Sequence, residues 1–116
     1  MKNNVVKDKS LEFAVRIVNL YKFLVNEQKE FVMSKQILRS GTSIGANIRE
    51  AEQAQSRADF INKLNIALKE ANETEYWLEL LIRTEYITRE QYESINNDST
   101  EINKLLISII KTTKNN

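Results

Sequence analysis

The groups in this chain whose spacing suggests chemistry are three carboxylates, Glu70, Glu73 and Glu75, and a polar row, Gln36, Arg39, Ser40, Ser43, Asn47 and Glu50. Paired carboxylates serve general acid–base and glycosidic chemistry, and with histidine they hold two metal ions. The chain of 116 residues contains no His, no Cys and no Pro. Without His there is no Glu-x-x-His element for a two-metal site, and Ser40 and Ser43 have no imidazole base. Without Cys, thiolate metal sites and disulfide frameworks are excluded. Nothing in the pattern builds a sugar cleft. The expectation is no enzyme, no cofactor, no metal and no small-molecule substrate.

At the helical turn of about 100° per residue, the polar row falls on one face of a helix. Ser and Asn are poor helix formers, and only Arg39 and Glu50 in the row carry charge. The stripe therefore reads as a hydrogen-bonding face rather than a solvated one. Glu70 and Glu73 share an arc with Ile66, Trp77, Leu80 and Leu81, whereas Glu75 falls beside Leu64, Leu68 and Ile82. Carboxylates among apolar side chains need donors, because unpaired burial is costly. The expectation is a shielded network in which Arg39, Ser43, Asn47 and Glu50 meet Glu73 and Glu70. The only two glycines, Gly41 and Gly45, lie inside the polar-row segment. Each costs about 1 kcal/mol relative to Ala in a helix, which close approach of a neighbouring helix offsets. No strand precedes them and no Gly-Lys-Ser/Thr follows, so a phosphate loop is excluded.

Helical periodicity in four stretches positions these groups. The first runs from about Ser10 to Asn26, with Phe13, Ile17, Leu20 and Leu24 inward. The second, about Ser34 to Gln55, carries Ile37, Gly41, Ile44, Ile48 and Ala51 inward, with Ser34 as N-cap. The third spans about Arg57 to Glu85, and the fourth about Arg89 to Thr112, opened by a Thr88–Gln91 capping box. Short links make sequential helices neighbours. The fold class is all-α: one domain over residues 1–116, an antiparallel up-down-up-down four-helix bundle. Charged residues make up 28% and hydrophobic ones 41%, with a net charge of +1. That balance suits a globular protein and argues against strong nucleic-acid binding. No apolar run approaches the ~20 residues of a membrane helix, and the start is too polar for a signal peptide. A cytoplasmic protein without membrane contact is expected.

A bundle helix needs one apolar stripe. The third helix offers a second arc with Ile66, Trp77 and Leu80, and the first adds Val18, Tyr21 and Val25 beyond its inward row. Apolar surface beyond the core marks contact sites, and Trp is enriched at them. These six residues are the expected subunit interface. Pattern alone gives an oligomer without counting subunits. Two distinct arcs suit a heterologous contact, one face against a different face of the next copy.

The stretch from Ser34 to Ala51 resembles the signature of the four-helix bundle proteins encoded in intervening sequences of bacterial 23S ribosomal RNA genes. The pattern Gln-x-x-Arg-(Ser/Ala)-x-x-Ser-Ile-x-x-Asn-Ile-x-Glu is met by Gln36, Arg39, Ser40, Ser43, Ile44, Asn47, Ile48 and Glu50. The stretches Asp59–Ala67 and Glu73–Leu78 resemble the family's third helix. Many members carry Gly-Ser where Lys69-Glu70 stands. The resemblance implies a homopentameric ring without an assigned activity, and some members are called ribosomal proteins. A related branch, the accessory variability determinant of diversity-generating retroelements, is strongly basic and binds a reverse transcriptase and nucleic acid; this chain, at +1, departs from it. The expected function is a non-catalytic oligomeric bundle, associated with ribosomal RNA or a nucleic-acid-processing partner and binding RNA weakly. The alternative is a protein-binding scaffold with no nucleic-acid contact.

Overall fold

Four helices form: α1 (Lys2–Asn26), α2 (Met33–Ala51), α3 (Arg57–Arg83) and α4 (Arg89–Lys114). The computed structural model describes residues 2–116, and among them there is no strand. Met1, the start of the expected 1–116 domain, lies outside the described residues.

Local chemistry sets the helix ends. Ser56 caps α3 by accepting the Asp59 N–H at 3.0 Å. The Thr88–Gln91 capping box at α4 forms in both directions, at 2.8 and 3.1 Å. The cap expected for α2 is different. Val32 occupies the N-cap position without a side-chain bond, and Ser34 lies buried inside the helix. Glu30 does the capping: its carboxylate accepts from the N–H groups of Val32, Met33 and Ser34 at 3.1, 3.0 and 2.7 Å. A carboxylate there satisfies otherwise orphaned donors and suits the positive end of the helix dipole. α2 stops at Ala51, short of the expected Gln55. α3 stops at Arg83, just before Glu85 turns the chain with a φ of 66°.

The largest difference is at α1, which starts at Lys2 rather than near Ser10. Val6 and Ser10 extend the buried row of Phe13, Ile17, Leu20 and Leu24 by two turns. The Ser10 hydroxyl is satisfied by donating to the Lys7 carbonyl at 2.9 Å, so a hydroxyl is tolerated in an apolar row.

Buried residues from all four helices form one core, with Ile17, Ile44, Leu78 and Leu106 fully enclosed. α1 packs against α2 and α4, and α3 packs against the same two. Along three of these seams, contacts at rising residue numbers on one helix meet falling numbers on the other. Lys7 meets Glu52 at 3.1 Å, while Ile17 lies under Gly41. Lys63 meets Glu50 at 3.1 Å, while Thr74 meets Ser40 at 3.0 Å. Lys9 meets Glu101 at 2.8 Å and Arg16 meets Asp98 at 2.6 Å. The molecule measures 47 × 22 × 19 Å. No helix among the described residues is long and apolar enough to cross a membrane.

The two glycines are explained by the α1–α2 seam. A Cβ at Gly41 would lie 2.7 and 2.8 Å from the Ile17 Cγ1 and Cγ2 atoms. At Gly45 it would lie 3.2 Å from the Ser10 hydroxyl. Hydrogen in place of a side chain lets α1 reach the backbone of α2 there.

Candidate functional site

The polar row on α2 meets α3 at two depths. On the outside, the Arg39 guanidinium donates to the Glu73 carboxylate and lies 3.7 Å from Glu70. The Trp77 indole N–H donates to the same Glu73 oxygen at 3.1 Å. The Trp77 hydrogen bond and then the Arg39 guanidinium hold the Glu73 carboxyl below its ordinary value, against the opposing effect of partial burial. The Arg39 side chain is 53% exposed, so this cluster sits on the surface of the single chain rather than in a shielded interior. Beneath it, the hydroxyls of Ser40 and Thr74 lie 3.0 Å apart, and both residues are fully buried. Thr74 also donates to the Glu70 carbonyl at 2.8 Å.

Three residues expected to join Glu73 have other partners. Ser43 donates to the Arg39 carbonyl at 2.6 Å and Asn47 to the Ser43 carbonyl at 2.8 Å. Short side chains in a helix find the carbonyl one turn back before they reach a neighbouring helix. Glu50 pairs with Lys63 at 3.1 Å. It stands eleven residues beyond Arg39, about 16 Å along the axis, which is out of reach of Glu73.

A second polar seam joins α3 to α4 and was not foreseen. One Glu75 oxygen accepts from the Ser99 hydroxyl at 2.8 Å and from the Asn103 amide at 2.7 Å. Glu73 and Glu75 are two positions apart, so they leave opposite flanks of α3. That rotation, with Ser99 and Asn103 one turn apart on α4, was the signal available in the sequence. Glu73 and Glu75 each accept from a donor on a neighbouring helix. No group of three His, Cys, Asp or Glu residues is placed to hold a metal ion among the described residues.

The six residues expected at a subunit interface, Val18, Tyr21, Val25, Ile66, Trp77 and Leu80, are all half-buried in the single chain. Tyr76 stands beside Trp77, its ring edge-on with centroids 5.0 Å apart. With Leu80, Glu79 and Arg83, Tyr76 lines a shallow hollow of about 220 Å³. Pattern reading missed Leu11 and Val15, which are 51% and 55% exposed. They continue from Val18 at helical spacing and form an outward strip on α1. It also missed Phe31 and Val32, exposed in the α1–α2 connection.

Comparison with known proteins bears on both family and fold. Residues 2–108 match the model of the 23S rRNA-intervening sequence protein family. A crystal structure from Bacteroides thetaiotaomicron VPI-5482, of a protein with unknown function from the S23 ribosomal protein family, is 99% identical with a TM-score of 0.95. The match covers 96% of this chain and 99% of that one. No curated protein matches the chain.

Proposed function

The chain belongs to the 23S rRNA-intervening sequence protein family, and from that premise we propose that it is a non-catalytic helical bundle acting as a homo-oligomer in association with ribosomal RNA or a nucleic-acid-processing partner. Its helices run up, down, up and down, and five copies close into a ring in the cytoplasm. The opposed numbering along the three seams traced above supports the antiparallel arrangement. The observation that carries the oligomer is the apolar surface left over once the core is complete. Trp77, Leu80 and Ile66 on α3, and Val18, Tyr21 and Val25 on α1, keep part of their surface in solvent. Apolar area distributed over two different helices fits a head-to-tail contact that closes by rotation.

The net charge of +1 favours a second reading, a scaffold for protein partners that touches no nucleic acid. Filter binding of a ribosomal RNA fragment separates the two. Each phosphate contact to duplex steepens the salt dependence by roughly 0.9 log units per log unit of salt. Weak binding with a shallow slope is expected. Absence of binding even at low salt overturns the RNA association and leaves the scaffold.

A further inference from the structure

The connection from Glu27 to Val32 is held in one path by backbone hydrogen bonds. Gln28 N–H donates to the Phe23 carbonyl at 3.3 Å, and Glu30 N–H to the Leu24 carbonyl at 2.9 Å. Lys29 turns the chain with a φ of 54°, a conformation uncommon for a residue with a side chain. The Glu30 carboxylate faces inward, where it is 7% exposed and caps α2. Its hydrogen bonds go to backbone N–H groups, and it forms no ion pair among the described residues.

Outside this fixed path the connection presents an unusual surface. Phe31 is 53% and Val32 71% exposed. Lys29 lies two residues before Phe31 and Lys35 four residues after it. Lys22 stands two residues before Leu24, whose carbonyl anchors the connection. All three lysines are exposed, and none forms an ion pair among the described residues. Glu27 is the exposed carboxylate of the connection itself, and exposed Glu85 from the turn before α4 lines the same hollow as Gln28. An exposed ring with exposed lysines two residues before and four residues after it in the chain suits a ligand with an open π-face and regularly spaced negative charge.

We propose that this corner binds single-stranded RNA, with one base stacked on Phe31 and neighbouring phosphates at Lys22, Lys29 and Lys35. The inference rests on the reading that the protein associates with RNA, and it names the form of RNA and the place. A duplex hides its base faces inside the stack, so a stacking ring selects open strands. The α2 N-terminus is not the anion site, because Glu30 already occupies its donors.

Fluorescence anisotropy with a short labelled oligouridine tests this. Phe31→Ala weakens binding about tenfold, the usual scale for loss of one stacked base, and Phe31→Trp restores it. Lys22→Gln, Lys29→Gln and Lys35→Gln each lower the salt slope by about 0.7. A duplex of the same length competes poorly. Equal binding by Phe31→Ala, or equal competition by the duplex, overturns the inference while leaving RNA association elsewhere on the protein intact. A change in assembly mass for Phe31→Ala with unchanged RNA affinity makes the corner an interface between copies and likewise overturns it. If the unmutated protein binds no RNA at low salt, the inference and the RNA association fall together.

Discussion

The two flanks of α2 are closed by different physics. Toward α1 the contact is steric: Gly41 and Gly45 carry no side chain, and Ile17 and Ser10 fill the space. Toward α3 the contact is polar and graded with depth, from the buried Ser40–Thr74 hydroxyls to the half-exposed Arg39–Glu73 pair. Ile17 is β-branched and has little rotamer freedom within a helix, so the first flank cannot give. The second flank meets water at its rim, so its outer partners are replaceable. A sequence signature that spans both flanks thus mixes positions of very unequal tolerance.

The largest effect is expected at Gly41. Gly41→Ala puts a Cβ within 2.7 Å of Ile17. Overpacking of this kind costs about 1–3 kcal/mol, beyond the ~1 kcal/mol that Ala returns to the helix. The urea midpoint should fall, and Ile17→Ala, which removes both Cγ atoms in the way, should cost less in the Gly41→Ala background than alone. Equal stability for Gly41→Ala would remove the contrast between the flanks. Next comes the buried hydroxyl pair. Thr74→Val leaves the Ser40 hydroxyl only its long 3.5 Å bond to the Ile37 carbonyl and costs about 1 kcal/mol, whereas Ser40→Ala with Thr74→Val together is closer to neutral. A double variant as unstable as the sum of the singles would show that packing, not the hydrogen bond, matters there.

The smallest effect is expected at the rim. A shielded Arg39 would cost about 3–5 kcal/mol to remove, because it strands a charge. With its side chain 53% exposed, Arg39→Ala costs at most about 1 kcal/mol in the isolated bundle. The same cluster sets a pH dependence. Glu73 has a lowered pKa in the folded chain, with 4.5 as its ordinary value. Its contribution is complete above the ordinary value and is lost as pH falls through the lowered one. Trp77→Phe, which removes the first cause of the shift, should flatten the acid side of the stability profile between the two.

How much of this was legible follows from which residues advertise their neighbours. Phe13, Ile17, Leu20 and Leu24 repeat at helical spacing, so the core of α1 could be read directly. Val6 and Ser10 could not: one valine among polar residues and one serine give no apolar row, and only the completed core shows that both lie inside it. The Gly41–Gly45 spacing announced a close approach because unexplained glycines in a helix need an offsetting contact. The polar row was readable as a face but not as a set of pairs. Arg39 is long enough to cross to Glu73 and Glu70, while Ser43 and Asn47 bond back to their own helix. Glu75 found Ser99 and Asn103 because it leaves α3 on the flank opposite Glu73, a difference that a list of acidic residues conceals. Glu30 was invisible as a cap because its carboxylate reaches forward past two residues to the backbone of α2.

The signature of α2 holds the bundle together through Gly41, Ser40 and Arg39, and the oligomer proposed above turns on the apolar arc around Trp77. Multi-angle light scattering at micromolar concentration measures this most directly, on the unmutated chain beside Trp77→Glu. The prediction is a mass about five times that of one chain for the first. The variant should give a mass near one chain, with the helical circular dichroism of both unchanged. A monomer mass for the unmutated protein would contradict the account.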